Sequence, residues 1–198
     1  MNFEFSDEQI AMKDEVRKLL DKENSLKRNR TILEGEEKFD KDLWNSLVSM
    51  GLTAVTIPEE FGGIGMGYLE LCVIAEELGR AIAPVPYSSS VYLATTAILN
   101  CASDEIKKEF LPKLASGEII GTFAHAESSG FPLEKSINCN FASGKISGTK
   151  AAVPDADIAD FAIVSAKSSS GVGLYLIDLK DANIEITSLD TFYPSRSC

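Results

Sequence analysis

The sequence has few of the residues that hold metal ions or form disulfides. Its 198 residues include one histidine, His125, and four cysteines that lie far apart and form no CxxC pair. A zinc site needs several thiolate or imidazole ligands at close spacing, and a disulfide framework needs a denser set of cysteines. The sequence therefore predicts neither kind of site, and its scattered thiols fit a reducing cytoplasm.

Positive charge and long apolar runs are also scarce. Lysine and arginine number 19 against 30 aspartates and glutamates, which gives a net charge of −11. Such a chain has no basic surface for nucleic acid or anionic lipid. No apolar run approaches the roughly 20 residues of a membrane helix, and the acidic start argues against a signal or transit peptide. We therefore expect a cytoplasmic protein without nucleic-acid or membrane partners, whose 44% hydrophobic residues form a packed core.

Apolar residues recur at helical spacing through the first part of the chain. Ser6 and Gln9 are placed for a capping box at the start of the first helix. Asp40 is a candidate N-cap for another helix, in which Trp44 faces the core. Residues 23–38 are polar and mixed in charge, which predicts a solvated loop. Further helices are predicted over Tyr68–Ile82, over Val91–Asn100 with Ser89 or Ser90 as the cap, and from Ser103 onward.

The chain changes character near residue 118. Pro112 and Gly117 bracket a last helical turn, so helix is predicted to end near Ser116. The residues after that point alternate and are rich in β-branched and aromatic types. We predict an α+β fold, with an all-α domain over 1–118 followed by a small, antiparallel, barrel-like β domain over 119–198. The predicted strands are Ile119–His125, Asn138–Ala142, Lys145–Ser147, Phe161–Ala166, Gly173–Asp178 and Ile184–Thr187.

The glycines of residues 53–67 invite comparison with a dinucleotide-binding turn. That turn requires GxGxxG directly after a strand, but Tyr68 stands where the third glycine belongs after Gly63 and Gly65. Pro58 and two glutamates also intervene. The stretch is therefore predicted to be a tight loop between helices and not a phosphate cradle.

Several motifs together resemble the acyl-CoA dehydrogenase family, in order and at matching spacing over nearly the whole chain. They are Trp44 to Gly51, Ile57 to Gly65, Glu76 to Ala81, Ala83-Pro84, Leu111 to Glu118, Ala126-Glu127, and Gly148-Thr149-Lys150 followed by Ala159-Asp160.

The resemblance implies a helical domain, a β domain, a C-terminal helical bundle and FAD held in the cleft between domains. It also implies α,β-dehydrogenation of an acyl-CoA thioester, with electron-transferring flavoprotein as the electron acceptor and a homo- or hetero-oligomer as the assembly. In the family a glutamate of the C-terminal bundle removes the α-proton. No residue of this sequence matches that glutamate, so we assign no catalytic residue and expect the β domain and the bundle to continue beyond Cys198.

The resemblance also indicates which residues would bind the cofactor. They lie in two segments, one that ends the strand along the flavin and one that follows Gly148-Thr149-Lys150. The family's usual threonine and proline around Glu127 are replaced by Ala126 and Ser128, and its tryptophan-isoleucine-threonine by Ala152, Val153 and Pro154. The sequence Val-Pro-Asp-Ala resembles branches that act on ring-containing or other unusual acyl-CoAs. The predicted cofactor-binding residues are Phe123, His125, Ala126, Ser128, Val153 and Pro154.

Several of these residues have a structural alternative. The ring of His125 can pack away from the flavin as an ordinary strand histidine. Arg80 can bind a phosphate or stabilise the end of its helix. Glu127 and Lys150 are expected to be structural. Two functions remain: the N-terminal portion of an FAD-dependent acyl-CoA dehydrogenase, inactive alone, or a degenerate or truncated non-catalytic subunit that supports a catalytic partner.

Overall fold

The computed structural model describes residues 4–128, 133–181 and 183–189. Its α-helices are α1 (Asp7–Glu23), α2 (Leu26–Glu34), α3 (Lys41–Ser49), α4 (Tyr68–Arg80), α5 (Thr96–Cys101) and α6 (Asp104–Ala115), with a π-helix over Ser88–Thr95. Short 3-10 turns cover Glu59–Phe61 and Glu134–Ser136. The strands are β1 (Gly121–Ala124), β2 (Asn140–Ala142), β3 (Lys145–Ser147), β4 (Phe161–Ser168) and β5 (Gly171–Asp178). Among the described helices, none is long and apolar enough to cross a membrane.

The chain divides into two compact units. The first holds residues 1–85 and 108–118, and the second holds residues 86–107 and 119–198. The helical segment 86–107 thus groups with the strands, whereas the sequence places it in the helical domain. The domain boundary at residue 118 stays a prediction, and the expected continuation of the β domain beyond Cys198 concerns residues outside those described.

The first unit begins with the helix cap that the sequence predicts. Ser6 accepts the N–H of Gln9, and the Gln9 side chain accepts the N–H of Ser6. The α1 residues Val16 and Leu20 are fully buried. A buried carboxylate, Glu77 of α4, binds α1 through two hydrogen bonds from the Arg17 guanidinium, at 2.6 and 2.9 Å.

The prediction of a solvated loop over residues 23–38 is wrong, because α2 lies within it. Ser25 caps α2 by accepting the N–H of Arg28. The Arg28 guanidinium binds both oxygens of Asp40, which is fully buried. A buried carboxylate needs a cationic partner, and this pairing stabilises a helix whose own sequence is too polar to indicate one.

Other predictions for the first unit are confirmed. Asp40 caps α3 by accepting the N–H of Leu43 at 3.0 Å, and Trp44 is 4% exposed. Gly117 follows the end of α6 with a φ of +66°, the left-handed conformation expected there. The glycine-rich stretch before α4 is a loop with no strand in it, as expected for a connection between helices. Helix α4 ends two residues before the predicted Ile82.

In the second unit, the predicted helix over Val91–Asn100 starts earlier and is of a different kind. The π-helix precedes α5, and neither Ser89 nor Ser90 is a cap. Both serines lie inside the π-helix, where Ser89 contacts Asp155 and Ser90 accepts the N–H of Gly121. These partners are distant in sequence, so local spacing does not reveal them.

The sheet of the second unit contains both parallel and antiparallel pairs. Its strand order is β1-β4-β2-β3, and β5 also pairs with β4. The β2–β3 and β4–β5 pairs are antiparallel hairpins, as the turn residues predict. Strand β1 runs parallel to β4, with Thr122 opposite Ala162, and β2 has one parallel bridge to β4. A helical domain followed by a β domain is confirmed, while the expected purely antiparallel pairing is wrong. The predicted strand Ile184–Thr187 is also wrong, since these residues are not in a strand.

Candidate functional site

The candidate site lies where β1 ends and a second segment runs beside it. We call residues 123–128 the first segment and residues 150–155 the second segment. The Ala151 N–H donates to the Ala126 carbonyl at 2.8 Å. The Thr122 hydroxyl donates to the Pro154 carbonyl at 2.6 Å. These two bonds fix the second segment against the end of β1, so the structure brings together the two segments that the sequence singles out.

A buried ion pair lies at the base of this site. Lys150 Nζ is 2.7 Å from Glu127 Oε1, and the two side chains are 8% and 9% exposed. The ammonium also donates to Ser165 Oγ at 3.0 Å and to the His125 carbonyl at 3.1 Å. An ammonium has three N–H donors, and Lys150 directs all of them to protein groups. These contacts support the expectation that Lys150 is a structural residue.

Glu127 is held as an anion by its surroundings. Its carboxylate accepts the backbone N–H groups of Asn138 and Cys139, at 2.6 and 2.9 Å, in addition to Lys150. Burial of the carboxyl opposes ionisation, but the bond from Lys150 and the two backbone bonds outweigh it and lower the pKa to about 2. The three hydrogen bonds that Glu127 accepts support the expectation that it is a structural acceptor, and a carboxylate with so low a pKa is a weak base.

His125 and Val153 turn to opposite faces of the sheet. Val153 packs against the cluster of Ala124, Ala162 and Val164, which are buried on one face. His125 follows Ala124 by one residue, and side chains alternate along a strand. Its Nδ1 lies 2.9 Å from Ser165 Oγ, and its ring stacks on that of Phe123 with centroids 5.9 Å apart. The structure thus favours the alternative in which the His125 ring packs as part of the strand face.

The remaining predicted site residues differ in exposure. Ala126 and Pro154 are half-buried, Phe123 is half-buried beside His125, and Ser128 is exposed. The Ala126 and His125 carbonyls are already hydrogen-bonded within the protein. Whether these residues bind a cofactor stays a prediction.

Sequence reasoning missed three residues that shape this site: Thr122, Ser165 and Asp155. Thr122 holds the Pro154 carbonyl, and Ser165 links Lys150 to His125. Asp155 is 3% exposed with a φ of +55°, and it contacts the π-helix. A parallel register places Ser165 beside His125, and neither residue carries a local signal of that pairing. Among the described residues, no group of three or more metal-ligating side chains occurs.

Arg80, the other candidate, binds carboxylates of its own unit. It donates to the buried Glu77 and to Asp21, both at 2.8 Å. Its guanidinium therefore links α4 to α1. This arrangement supports the structural alternative for Arg80 over a phosphate site.

Comparison with known proteins identifies the family. The sequence model of the protein family "Acyl-CoA dehydrogenase, N-terminal domain" matches residues 6–118. Acyl-CoA dehydrogenase FadE27 of Mycobacterium tuberculosis is 31% identical over 157 residues, which cover 79% of this chain and 42% of that protein. The crystal structure of the ChsE4-ChsE5 complex from Mycobacterium tuberculosis superposes with a TM-score of 0.89 at 27% identity, over 100% of this chain and 54% of that chain. A variant of the Tcur3481-Tcur3483 steroid ACAD gives a TM-score of 0.85 at 29% identity, over 96% of this chain and 53% of that chain.

This chain therefore spans about half the length of the relatives it matches. The match to the family model covers more than half of the chain, and the similarity to these relatives extends through the strands that form the candidate site. The chain belongs to the acyl-CoA dehydrogenase family.

Proposed function

We propose that this chain is part of a subunit that carries out FAD-dependent α,β-dehydrogenation of an acyl-CoA thioester. One observation supports this most directly: the second segment is fixed against the end of β1 by the bonds of Ala151 and Thr122. These are the two segments to which the family resemblance assigns the flavin. The site is thus built in advance by the protein's own hydrogen bonds.

The residues present fit a flavin held by backbone N–H groups and apolar contact. Ala126 and Pro154 offer small apolar surfaces, and the charge of Glu127 is balanced by Lys150 and two backbone N–H groups. Bound FAD would supply the acceptor for the hydride that leaves the β-carbon of the acyl group. His125, Ala126 and Val153 would hold the ring through their backbones, because the Val153 side chain faces the sheet.

The chain's own residues position and insulate this site and do not transfer the proton. Glu127 accepts three hydrogen bonds and has a pKa of about 2, so it does not serve as the base that removes the proton from the α-carbon. Lys150 uses its donors on protein atoms. The base of the reaction is therefore proposed to lie outside these segments, in accordance with the family resemblance.

The partners follow from the same proposal. Acyl-CoA is the substrate and electron-transferring flavoprotein the electron acceptor, in a cytoplasmic protein that forms a homo- or hetero-oligomer. The relatives described as a complex and as a steroid ACAD support a hetero-oligomer and a ring-containing acyl group. The acidic composition, with a net charge of −11, supports the absence of nucleic-acid and membrane partners.

A second candidate function is a non-catalytic subunit that supports a flavin-binding partner. The observation that favours it is the loss of donors at the site. Proline at position 154 has no N–H, alanine at position 126 has no hydroxyl, and the Thr122 hydroxyl is already bonded to the Pro154 carbonyl. A flavin ring here would receive fewer hydrogen bonds than the family pattern supplies, so its affinity would be lower.

Flavin content separates the two functions. The full-length natural protein is purified with and without added FAD, and bound flavin is measured by absorbance. The double variant Ala126→Thr/Pro154→Thr restores the donors of the family pattern, and Ala142→Thr at an exposed position of β2 is the matched control. If this chain takes part in dehydrogenation, the wild type should contain bound flavin and the double variant should bind flavin more tightly. No flavin in the wild type, and none gained in the double variant over the control, would leave only the non-catalytic subunit.

A further inference from the structure

The π-helix buries two serine hydroxyls that the proposed function does not use. Ser89 is fully buried and Ser90 is 2% exposed. A π-helix is rare and is retained where a local feature depends on it. Here the π-helix packs tightly on β1, since a Cβ at Gly121 would lie 2.7 Å from Ala94. The two hydroxyls are therefore held at fixed positions within the second unit.

Ser89 contacts the end of the second segment. Its Oγ donates to Asp155 Oδ2 at 2.5 Å and lies 3.1 Å from the Pro86 carbonyl. Asp155 is 3% exposed, and a buried carboxylate requires hydrogen bonds to remain there. The Ser89 hydroxyl is such a donor, and it comes from an element 66 residues away in sequence.

The second segment has a backbone that needs outside support. Ala152 and Asp155 have φ values of +51° and +55°. Residues other than glycine are disfavoured in that region and stay there when their surroundings over-determine the conformation. At one end the support is Ala151, which is bonded to Ala126, and at the other end it is the Asp155 carboxylate.

We propose that Ser89 and Asp155 are positioning residues that hold the second segment in its ligand-facing conformation. The part of this proposal that concerns the flavin rests on the proposed function. The part that concerns the segment's conformation does not, because it follows from the Ser89–Asp155 contact and the left-handed backbone.

Hydrogen exchange of the full-length protein tests the conformational part. Ser89→Ala removes the hydroxyl, and Ser88→Ala, at the exposed neighbouring position, is the matched control. The amides of Ala151, Ile158 and Ala159 report on the segment and on the turn that follows it. We expect them to exchange about tenfold or more faster in Ser89→Ala, because a bond to a charged group is worth one to two factors of ten in an opening equilibrium. Rates equal to those of Ser88→Ala would overturn the proposal.

Two further measurements separate positioning from general stability. The amide of Val164, in the middle of β4, should exchange at the wild-type rate in Ser89→Ala, and an equal increase there would overturn the proposal. Asp155→Asn keeps an acceptor for the Ser89 hydroxyl but removes its charge, so its segment amides should exchange at rates between those of the wild type and of Asp155→Ala, whereas Asp155→Ala should match Ser89→Ala. Loss of protection in Asp155→Asn equal to that in Asp155→Ala would contradict the role of the hydrogen bond.

Flavin affinity tests the remaining part. In the FAD-bound protein, Ser89→Ala should raise the Kd for FAD about tenfold and shift the flavin absorbance band, while Ser88→Ala should do neither. If segment exchange increases but the Kd and the absorbance do not change, the segment does not face the flavin, and the part of the proposal that concerns the flavin is refuted. If the wild type binds no FAD, the proposed flavin function fails, and the exchange experiment alone decides the role of Ser89.

Discussion

The loop before α4 gives a sharp prediction about a single methyl group. A Cβ added at Gly63 would lie 1.8 Å from the Ile57 carbonyl oxygen and 2.5 Å from Ile57 Cβ. Ile57 is fully buried, its N–H donates to Ala54, and its carbonyl accepts the N–H of Gly65 at 2.8 Å. Ile57 therefore cannot yield, and the loop must open to admit the methyl group.

The cost follows from what the loop would lose. Gly63→Ala would disrupt two or three backbone hydrogen bonds of roughly 1 kcal/mol each and expose part of the buried Ile57 side chain, which together give about 3–5 kcal/mol. Gly62, with a φ of +80° and nothing within 4 Å, should cost only about 1–2 kcal/mol when replaced by alanine. Gly79 in α4 has open space around it, so Gly79→Ala should stabilise the protein by about 0.5–1 kcal/mol.

The assay is urea unfolding followed by circular dichroism, with the three variants compared in one buffer. From most to least stable, the expected order is Gly79→Ala, wild type, Gly62→Ala and Gly63→Ala. For a chain of this size about 1 kcal/mol corresponds to roughly 2–4 °C in Tm, so a thermal melt would separate Gly63→Ala from Gly62→Ala. If these two variants unfold at the same urea concentration, the steric argument at Gly63 is refuted.

Two ion-pair predictions concern stability. Lys150→Met should lower the free energy of unfolding by about 3 kcal/mol, because Glu127 would stay buried without its cation. Lys150→Met/Glu127→Gln should recover part of that loss, and equal urea midpoints for the single and double variants would contradict it. For Glu77, the hydrogen bond from Arg17 and then that from Arg80, against the opposing effect of burial, lower the pKa from 4.5 to about 2. The contribution of ionised Glu77 to the free energy of unfolding is therefore complete above about pH 4.5 and disappears as the pH falls towards 2. Over that interval the unfolding free energy of the wild type should fall by roughly 2 kcal/mol more than that of Glu77→Gln. Parallel pH profiles of unfolding free energy would contradict this.

Much of the helical architecture could be predicted because its signals are local. The caps at Ser6 and Asp40 involve partners three residues away, and the left-handed Gly117 closes its own helix. Helix α2 and the π-helix could not be predicted in this way. The first depends on Arg28 reaching Asp40, twelve residues away, and the second contains Ser89, whose partner is 66 residues away. Side-chain patterns do not report such partners, because the pairing exists only in the folded chain.

The sheet shows the same division between local and distant signals. The two hairpins could be predicted from the turn residues between their strands. The parallel pairing of β1 with β4 could not, because Gly121 and Phe161 meet across a long intervening stretch. The almost continuous burial of β4 is the feature that distinguishes it, since a strand flanked on both sides and covered on both faces has no polar alternation.

Contacts between residues that are distant in sequence matter most at the candidate site. Family motifs identified its two segments, but the pairing of β1 with β4 decides which side chains face which way. His125 lies beside Ser165 on one face, and Val153 packs on the other face against the cluster that contains Ala124. A ligand on one face can touch only one of those two side chains. A ligand that contacts both segments would therefore reach at least one of them through its backbone or through other side chains, such as Ala126 and Pro154, and the Ala151–Ala126 bond already holds the two backbones in register. Substituting the His125 or Val153 side chain alone should accordingly change ligand affinity less than releasing the second segment does.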